Sequence, residues 1–247
     1  VRLRTGLFCA LAKRQGALKP VLSPPWAPKV SFCECLDPPT FFHRAEYSSE
    51  EFYVQDPSTL MAPELLQAVE GEQVADLCAA PGGKAVYLNE QLTGRGTLVC
   101  ADRSEKRLRS VRQHLERSGT CSFTVADASD PPFPPESFDK VLLDVPCTNT
   151  GVIRRRPDVR WRFSFDMLEE LTSMQQDILR GASPLLKPGG VLVYSTCSLE
   201  AEENADQVDA FLENYPCFVK EKEVQLLPTA FNDGAYAARL KKVSSHR

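Results

Sequence analysis

Two cysteines and four carboxylates mark the ends of apolar runs in this chain: Cys147 and Cys197, with Asp76, Asp102, Asp127 and Asp144. Cys147 closes Asp144-Val-Pro-Cys, and Cys197 closes Ser195-Thr-Cys. A thiol at such a junction is polar and partly exposed, and a following helix N-terminus lowers its pKa, which is what a sulfur nucleophile needs. Carboxylates gathered at one edge suit hydroxyl and amine groups, and they serve a triphosphate poorly without a cation. Each residue also has a plainer reading. An Asp at a strand end is a common helix cap or turn former, and a lone Cys is commonly a packed, inert thiol. The combination favours chemistry, because ligands of open α/β sheets bind at the carboxyl ends of the strands.

The elements that must position these groups begin with Gln73-Val-Ala-Asp-Leu-Cys-Ala-Ala-Pro-Gly-Gly-Lys84. Val74, Ala75 and Leu77 read as a buried strand, Pro81-Gly82-Gly83 as a sharp turn, and Ala85 to Leu92 as a helix. This strand–turn–helix brings backbone N–H groups to a ligand at a helix N-terminus. It is neither G-x-G-x-x-G nor a phosphate loop, since Ala85 follows Lys84. Thr97 to Ala101, Ser122 to Ala126, Phe138 to Val145 and Val191 to Tyr194 predict further strands. Helices are predicted after Ser104 (ending at Gly119), over Asp166 to Leu186 with an end near Pro184, and after Ser198. A short helix is predicted over Ser58 to Val69, and weaker strands near Phe218 and over Ala235 to Leu240. The alternation predicts an α/β, mainly parallel, seven-stranded sheet with helices on both faces.

Residues 1–55 differ: a basic start leads into Pro-rich text, which reads as a small, partial N-terminal appendage of RNA-binding type, starting at Val1 rather than Met. Residues 56–247 form the main domain in this reading. The net charge of −4 means that any nucleic-acid surface must be local. Nine cysteines, an odd number with no secretory signal, argue for reduced thiols and a cytoplasmic setting. Three scattered histidines and the single close pair Cys33/Cys35 argue against a metal site. Cys9, Cys100, Cys121 and Cys217 read as small buried hydrophobes. No apolar run reaches membrane-spanning length, and a monomer is expected.

A ligand with a ribose, an adenine and no phosphate fits this edge, and S-adenosylmethionine is such a molecule. Asp102 would take the ribose hydroxyls, Asp127 the adenine edge, and the first turn the methionine end. Asp76-Leu-Cys-Ala-Ala-Pro-Gly-Gly-Lys84, Asp144-Val-Pro-Cys147 and Tyr194-Ser-Thr-Cys-Ser198 together resemble the RNA cytosine-C5 methyltransferases, nearest to the bacterial enzymes acting on small-subunit ribosomal RNA. Phe52 to Ser58, Gly151-Val-Ile-Arg-Arg and Glu202-Glu-Asn204 extend the resemblance. It implies a Rossmann-like methyltransferase fold and a two-cysteine mechanism. Cys197 would add to C6 of a flipped-out cytosine, Asp144 would hold the base edge, and Cys147 would assist release. Cys78, Ala79, Ala80, Pro81, Gly82, Gly83 and Lys84, with Asp102, Asp127 and Asp144, would bind the cofactor. The family's usual Thr after Gly-Gly-Lys is Ala85 here, and Thr148-Asn149 stands for a more usual Ser-Gly or Ser-Asn.

Arg154, Arg155, Arg156 and Arg160, beside Trp161 and Arg162, form the strongest basic cluster. Next to a base-flipping site they are read as RNA phosphate contacts; the plainer reading is a loop with internal salt bridges. Arg103, Lys106, Arg107, Arg109 and Arg112 are read as exposed surface. Competing readings are a turnover-deficient RNA-binding or ribosome-assembly module, tRNA rather than rRNA as substrate, and a methyltransferase for small molecules or proteins.

Overall fold

The computed structural model describes residues 2–3, 18–36, 52–116 and 118–243. Cys9 and most of the basic start lie outside the described residues. The main sheet has seven strands in the order β10-β11-β9-β8-β5-β6-β7. They are β5 (Gln73–Asp76), β6 (Thr97–Asp102), β7 (Cys121–Val125), β8 (Phe138–Asp144), β9 (Leu186–Thr196), β10 (Phe218–Leu226) and β11 (Ala235–Lys242). β5 pairs in parallel with β6 and β8, β6 with β7, and β8 with β9. β11 runs antiparallel to both β9 and β10. This is the mainly parallel sheet that the alternation predicts, in the Rossmann-like form that the resemblance implies.

Period-two alternation divides the core between the two faces of the sheet. Val74, Leu142, Val191 and Val193 point to one side, with helices α1 (Met61–Leu66), α2 (Gly83–Gln91) and α3 (Glu105–Leu115). Ala75, Val141, Leu143, Leu192 and Tyr194 point to the other, with α5 (Phe165–Ala182) and α6 (Ala205–Asn214). A four-residue helix, α4 (Val159–Arg162), precedes α5. Ser104 Oγ caps α3 by accepting from Arg107 N, and Leu108, Val111 and Leu115 form its buried stripe. Ser164 Oγ caps α5 at Met167 N in the same way.

Several boundaries differ from the sequence reading. The Ser58 to Val69 helix is a 3-10 turn, Pro57–Leu60, followed by α1, which stops at Leu66 because Gln67 is left-handed at φ 55°. α3 ends at Leu115, before Gly119. α5 ends at Ala182, where Pro184 cannot continue the ladder and a 3-10 turn, Ser183–Leu185, takes over. β9 starts at Leu186, so Gly189-Gly190 lies within the strand. After β9 a 3-10 turn, Ala201–Glu203, comes before α6, which starts at Ala205.

A second sheet, of order β2-β3-β1-β4, is built from β1 (Arg2–Leu3), β2 (Leu18–Val21), β3 (Phe32–Cys35) and β4 (Phe52–Tyr53). Its Ala27, Val30 and Phe32 pack on Leu60 and on Tyr87 of α2. Trp26 Nε1 donates to Pro57 O at 3.1 Å. The appendage is thus seated on the helix that follows the glycine turn.

Candidate active site

The carboxyl ends of β5, β6, β8 and β9 open onto one cleft of about 980 Å³. Cys78, Ala80, Pro81, Lys84, Asp102, Asp127, Asp144, Cys147 and Cys197 all line it. Ala79, Gly82 and Gly83 are not on its wall; they shape the turn behind it. Ala79 N donates to Ala101 O, and Gly82 sits at φ 118°, the left-handed region that glycine adopts without a Cβ clash. A Cβ there would also lie 3.3 Å from the backbone of Val111 in α3.

Cys147 comes from the loop after β8 and Cys197 from the end of β9, which are parallel neighbours paired as far as Asp144 and Ser195. That register brings the two sulfurs to 3.3 Å from each other. Asn149 is wedged beside them: its Nδ2 donates to Cys147 O at 2.6 Å, and its Oδ1 accepts from Cys197 Sγ at 3.2 Å. The following Gly151 donates its N–H to Cys197 O at 2.9 Å. A Cβ at Gly151 would fall 2.7 Å from that oxygen, so the close approach requires glycine.

The two thiols are not equivalent. The hydrogen bond from Cys147 holds Cys197 below the ordinary thiol range; burial and Asp144 oppose this, while Lys84 and Arg156 assist it. The same hydrogen bond, then burial, holds Cys147 well above that range. Cys78 is also pushed well up, by burial and the surrounding Asp76, Asp144 and Asp102. The pair is therefore polarised, with Cys197 the more acidic of the two sulfurs.

Lys84 Nζ pairs with Asp144 Oδ2 at 2.6 Å, and Ser195 Oγ donates to Asp144 Oδ1 at 3.3 Å. Burial works to lower Lys84, but the ion pair outweighs it and holds the ammonium above its ordinary value. Beside this pair lies Asp76, fully buried, whose carboxylate oxygens make no well-formed hydrogen bond among the described residues and only a weak contact with the Cys78 N–H. Burial, then the charge of Asp144, raises it to about 7. Asp102 accepts from Ser104 N at 2.9 Å and from Ala80 N at 3.3 Å, so it also serves as a turn former. Asp127 accepts from Ser129 N and Oγ, which holds its carboxyl low.

The arginines separate by role. Arg154 reaches Asp233 at 3.1 Å and Asp56 at 3.2 Å, and Arg155 also engages both carboxylates. These are internal salt bridges, although Arg155 also touches the cleft wall. Arg156 lines the cleft and is exposed, and Arg160 and Trp161 are exposed on α4. Arg107 is exposed, as read from sequence, and its guanidinium also donates to Ala80 O at 2.8 Å and lies 3.7 Å from Asp102 on the cleft wall. Cys100 is buried as expected, whereas Cys121 and Cys217 are only half-buried. No group of His, Cys, Asp and Glu among the described residues could hold a metal, and no helix among them is long and apolar enough to cross a membrane.

Residues 63–242 match the family model described as 16S rRNA methyltransferase RsmB/F. The ribosomal RNA small subunit methyltransferase B of Vibrio cholerae is 41% identical over 186 residues, which is 74% of this chain and 43% of that protein. The chain therefore spans less than half the length of that relative. A methyltransferase homologue from Pyrococcus horikoshii superposes with a TM-score of 0.77 at 27% identity, over 98% of this chain and 85% of its own. NSun6 from Pyrococcus horikoshii, solved with SFG, gives 0.74 at 28% identity, over 82% of this chain and 56% of its own. With the matched region running from α1 through the end of β11, the chain belongs to the 16S rRNA methyltransferase RsmB/F family.

Proposed function

We propose that this chain carries out S-adenosylmethionine-dependent methylation of cytosine C5 in RNA, with small-subunit ribosomal RNA as substrate, by a two-cysteine covalent route. The observation that carries the reading is the 3.3 Å approach of Cys147 and Cys197 in the cleft that also holds the carboxylates. The substrate class follows the names of the RsmB/F family and of the Vibrio cholerae relative.

The donor set fits the cofactor. A buried, under-satisfied carboxylate at Asp76, with Asp102, Asp127 and Asp144 on or beside the cleft, suits a ligand with cationic groups and hydroxyls rather than phosphates. Cys78 to Lys84 would hold the amino-acid end, Asp102 the ribose and Asp127 the adenine. When bound, the cofactor's sulfonium supplies an electrophilic methyl group.

C5 of cytosine is a poor nucleophile, and covalent addition at C6 overcomes this. Cys197, as thiolate, forms a bond to C6 of an extruded cytosine, and the ring electron pair becomes available at C5. Asp144, oriented by Lys84 and Ser195, hydrogen-bonds the base edge and steadies the adduct. After transfer, C5 carries both its proton and the methyl group. The proton must leave, its bonding pair restores the C5–C6 double bond, and Cys197 departs as thiolate. Cys147, in contact with Cys197, is the group that takes this proton, after its own resting hydrogen has passed to solvent. Arg156 and Arg160 are the arginines left to meet RNA phosphates, whereas Arg154 and Arg155 serve mainly to fix their loop.

The test is transfer of labelled methyl from S-adenosylmethionine to small-subunit ribosomal RNA. Cys197→Ala abolishes 5-methylcytosine formation in this reading; undiminished product in that variant refutes Cys197 as the nucleophile.

A further inference from the structure

Glu203 is a fully buried carboxylate to which the reaction above gives no task. It ends the 3-10 turn after β9, yet it reaches the loop after β8, 55 residues away. Glu203 Oε1 accepts from Thr148 N at 2.9 Å and from Gln175 Nε2 at 2.9 Å. Its Oε2 accepts from the Thr148 hydroxyl. Gln175, on α5, also donates to Pro146 O at 2.9 Å, and Tyr194 OH donates to Glu203 O at 2.7 Å. The residues on both sides of Cys147 are therefore held by one hydrogen-bonded unit. The donors to the carboxylate are neutral, so its negative charge is not cancelled by a cation there.

The groups facing the two sulfurs divide between them. Cys147 faces Cys197 and Tyr194 from β9, and Glu203 from the turn beyond it. Cys197 faces Lys84 from α2, Asp144 from β8 and Arg156 from the loop before α4. The influence of Cys197 on Cys147 ends once the Cys197 sulfur is bonded to C6, because the negative sulfur is then gone. The influence of burial and Glu203 persists through the rest of the cycle.

We propose that Glu203 is a positioning residue that sets the proton order of the two sulfurs. Its carboxylate fixes the Pro146–Thr148 turn, and through that turn its charge acts on Cys147. Cys147 accordingly keeps its hydrogen in the resting site, and it is basic enough to take the C5 proton at release. This rests on the methyltransferase reading. The balance is complete: with Cys197 bonded to C6, Cys147 gives its resting proton to solvent and then accepts the C5 proton. The C5–H pair becomes the C5–C6 double bond, and Cys197 leaves as thiolate. One proton reaches solvent per methyl group transferred.

The experiment titrates Cys147 in a Cys197→Ala chain by iodoacetamide alkylation across pH, read by peptide mass spectrometry, with neither RNA nor methyl donor present. Cys147 should titrate above the ordinary thiol value of about 8.5. Adding Glu203→Gln should move the profile down by about one unit, roughly a tenfold faster alkylation below the midpoint. Glu203→Asp, which retains the charge, should stay near the parent. A Glu203→Gln profile that superimposes on the parent overturns the proposal. So does a parent Cys147 that titrates at or below the ordinary value, a result that needs no Glu203 variant to fold. Loss of methylation with the proton order intact would count against the reaction alone.

Discussion

Two clusters of buried charge flank the loop between β8 and α4, and their bonding differs completely. Around Arg154 and Arg155, all four oxygens of Asp56 and Asp233 are engaged: by guanidinium groups, by Ser58 N and Oγ, and by Asp233 N donating to Asp56. Around Lys84, Asp144 is paired, whereas neither oxygen of Asp76 makes a well-formed hydrogen bond among the described residues and the Cys78 N–H offers only a weak contact. A buried polar group without a partner costs stability that a purely structural site would not sacrifice. The satisfied cluster staples the chain near residue 56 to the arginine loop and to the segment before β11. The unsatisfied one lies under the cleft, where a ligand can complete it.

The sharpest way to break this contrast is Asp76→Asn across pH. Asp76 titrates near 7 in the folded protein, above its unfolded value, so the folded state binds the extra proton between about pH 4 and pH 7. Wild-type stability should fall as pH rises through that window, by up to about 4 kcal/mol if no cofactor is present. The Asn variant should lose most of that slope in urea titrations at pH 5 and pH 8. Equal slopes would mean that Asp76 is already satisfied and that the clusters are alike.

A smaller effect separates the arginines. Arg154→Gln removes a guanidinium from two buried carboxylates and should cost about 2 kcal/mol, reduced by its partial exposure. It should leave the salt dependence of RNA binding unchanged. Arg156→Gln should do the reverse: little change in urea midpoint, and a log–log salt slope for RNA binding lower by about 1. If Arg154→Gln moves the salt slope instead, the arginine cluster belongs to the RNA surface and not to the staple.

The sequence carries the cleft well because its parts are local. Asp76 to Lys84, Asp144 to Cys147 and Ser195 to Cys197 each sit at one strand end, and parallel pairing brings strand ends together. What it hides depends on distant partners. Asp233 donates its backbone N–H to Asp56 across 177 residues, and no spacing rule announces that. Glu203 looks like one acid in an acidic helix start until its loop folds back on Thr148. The small sheet has strands of two to four residues, too short for periodicity to register. β10, read as weak, spans Phe218–Leu226 because its pairing with β11 compensates for a charged, exposed sequence.

The most direct measurement is the site of any covalent bond to RNA. In Cys147→Ala, release is slowed, and a protein–RNA adduct should build up on incubation with S-adenosylmethionine and small-subunit ribosomal RNA. Proteolysis and mass spectrometry of that adduct should map the nucleotide to Cys197. A nucleotide mapped to any other cysteine, or brisk turnover with no adduct, would contradict the assignment of the two sulfurs.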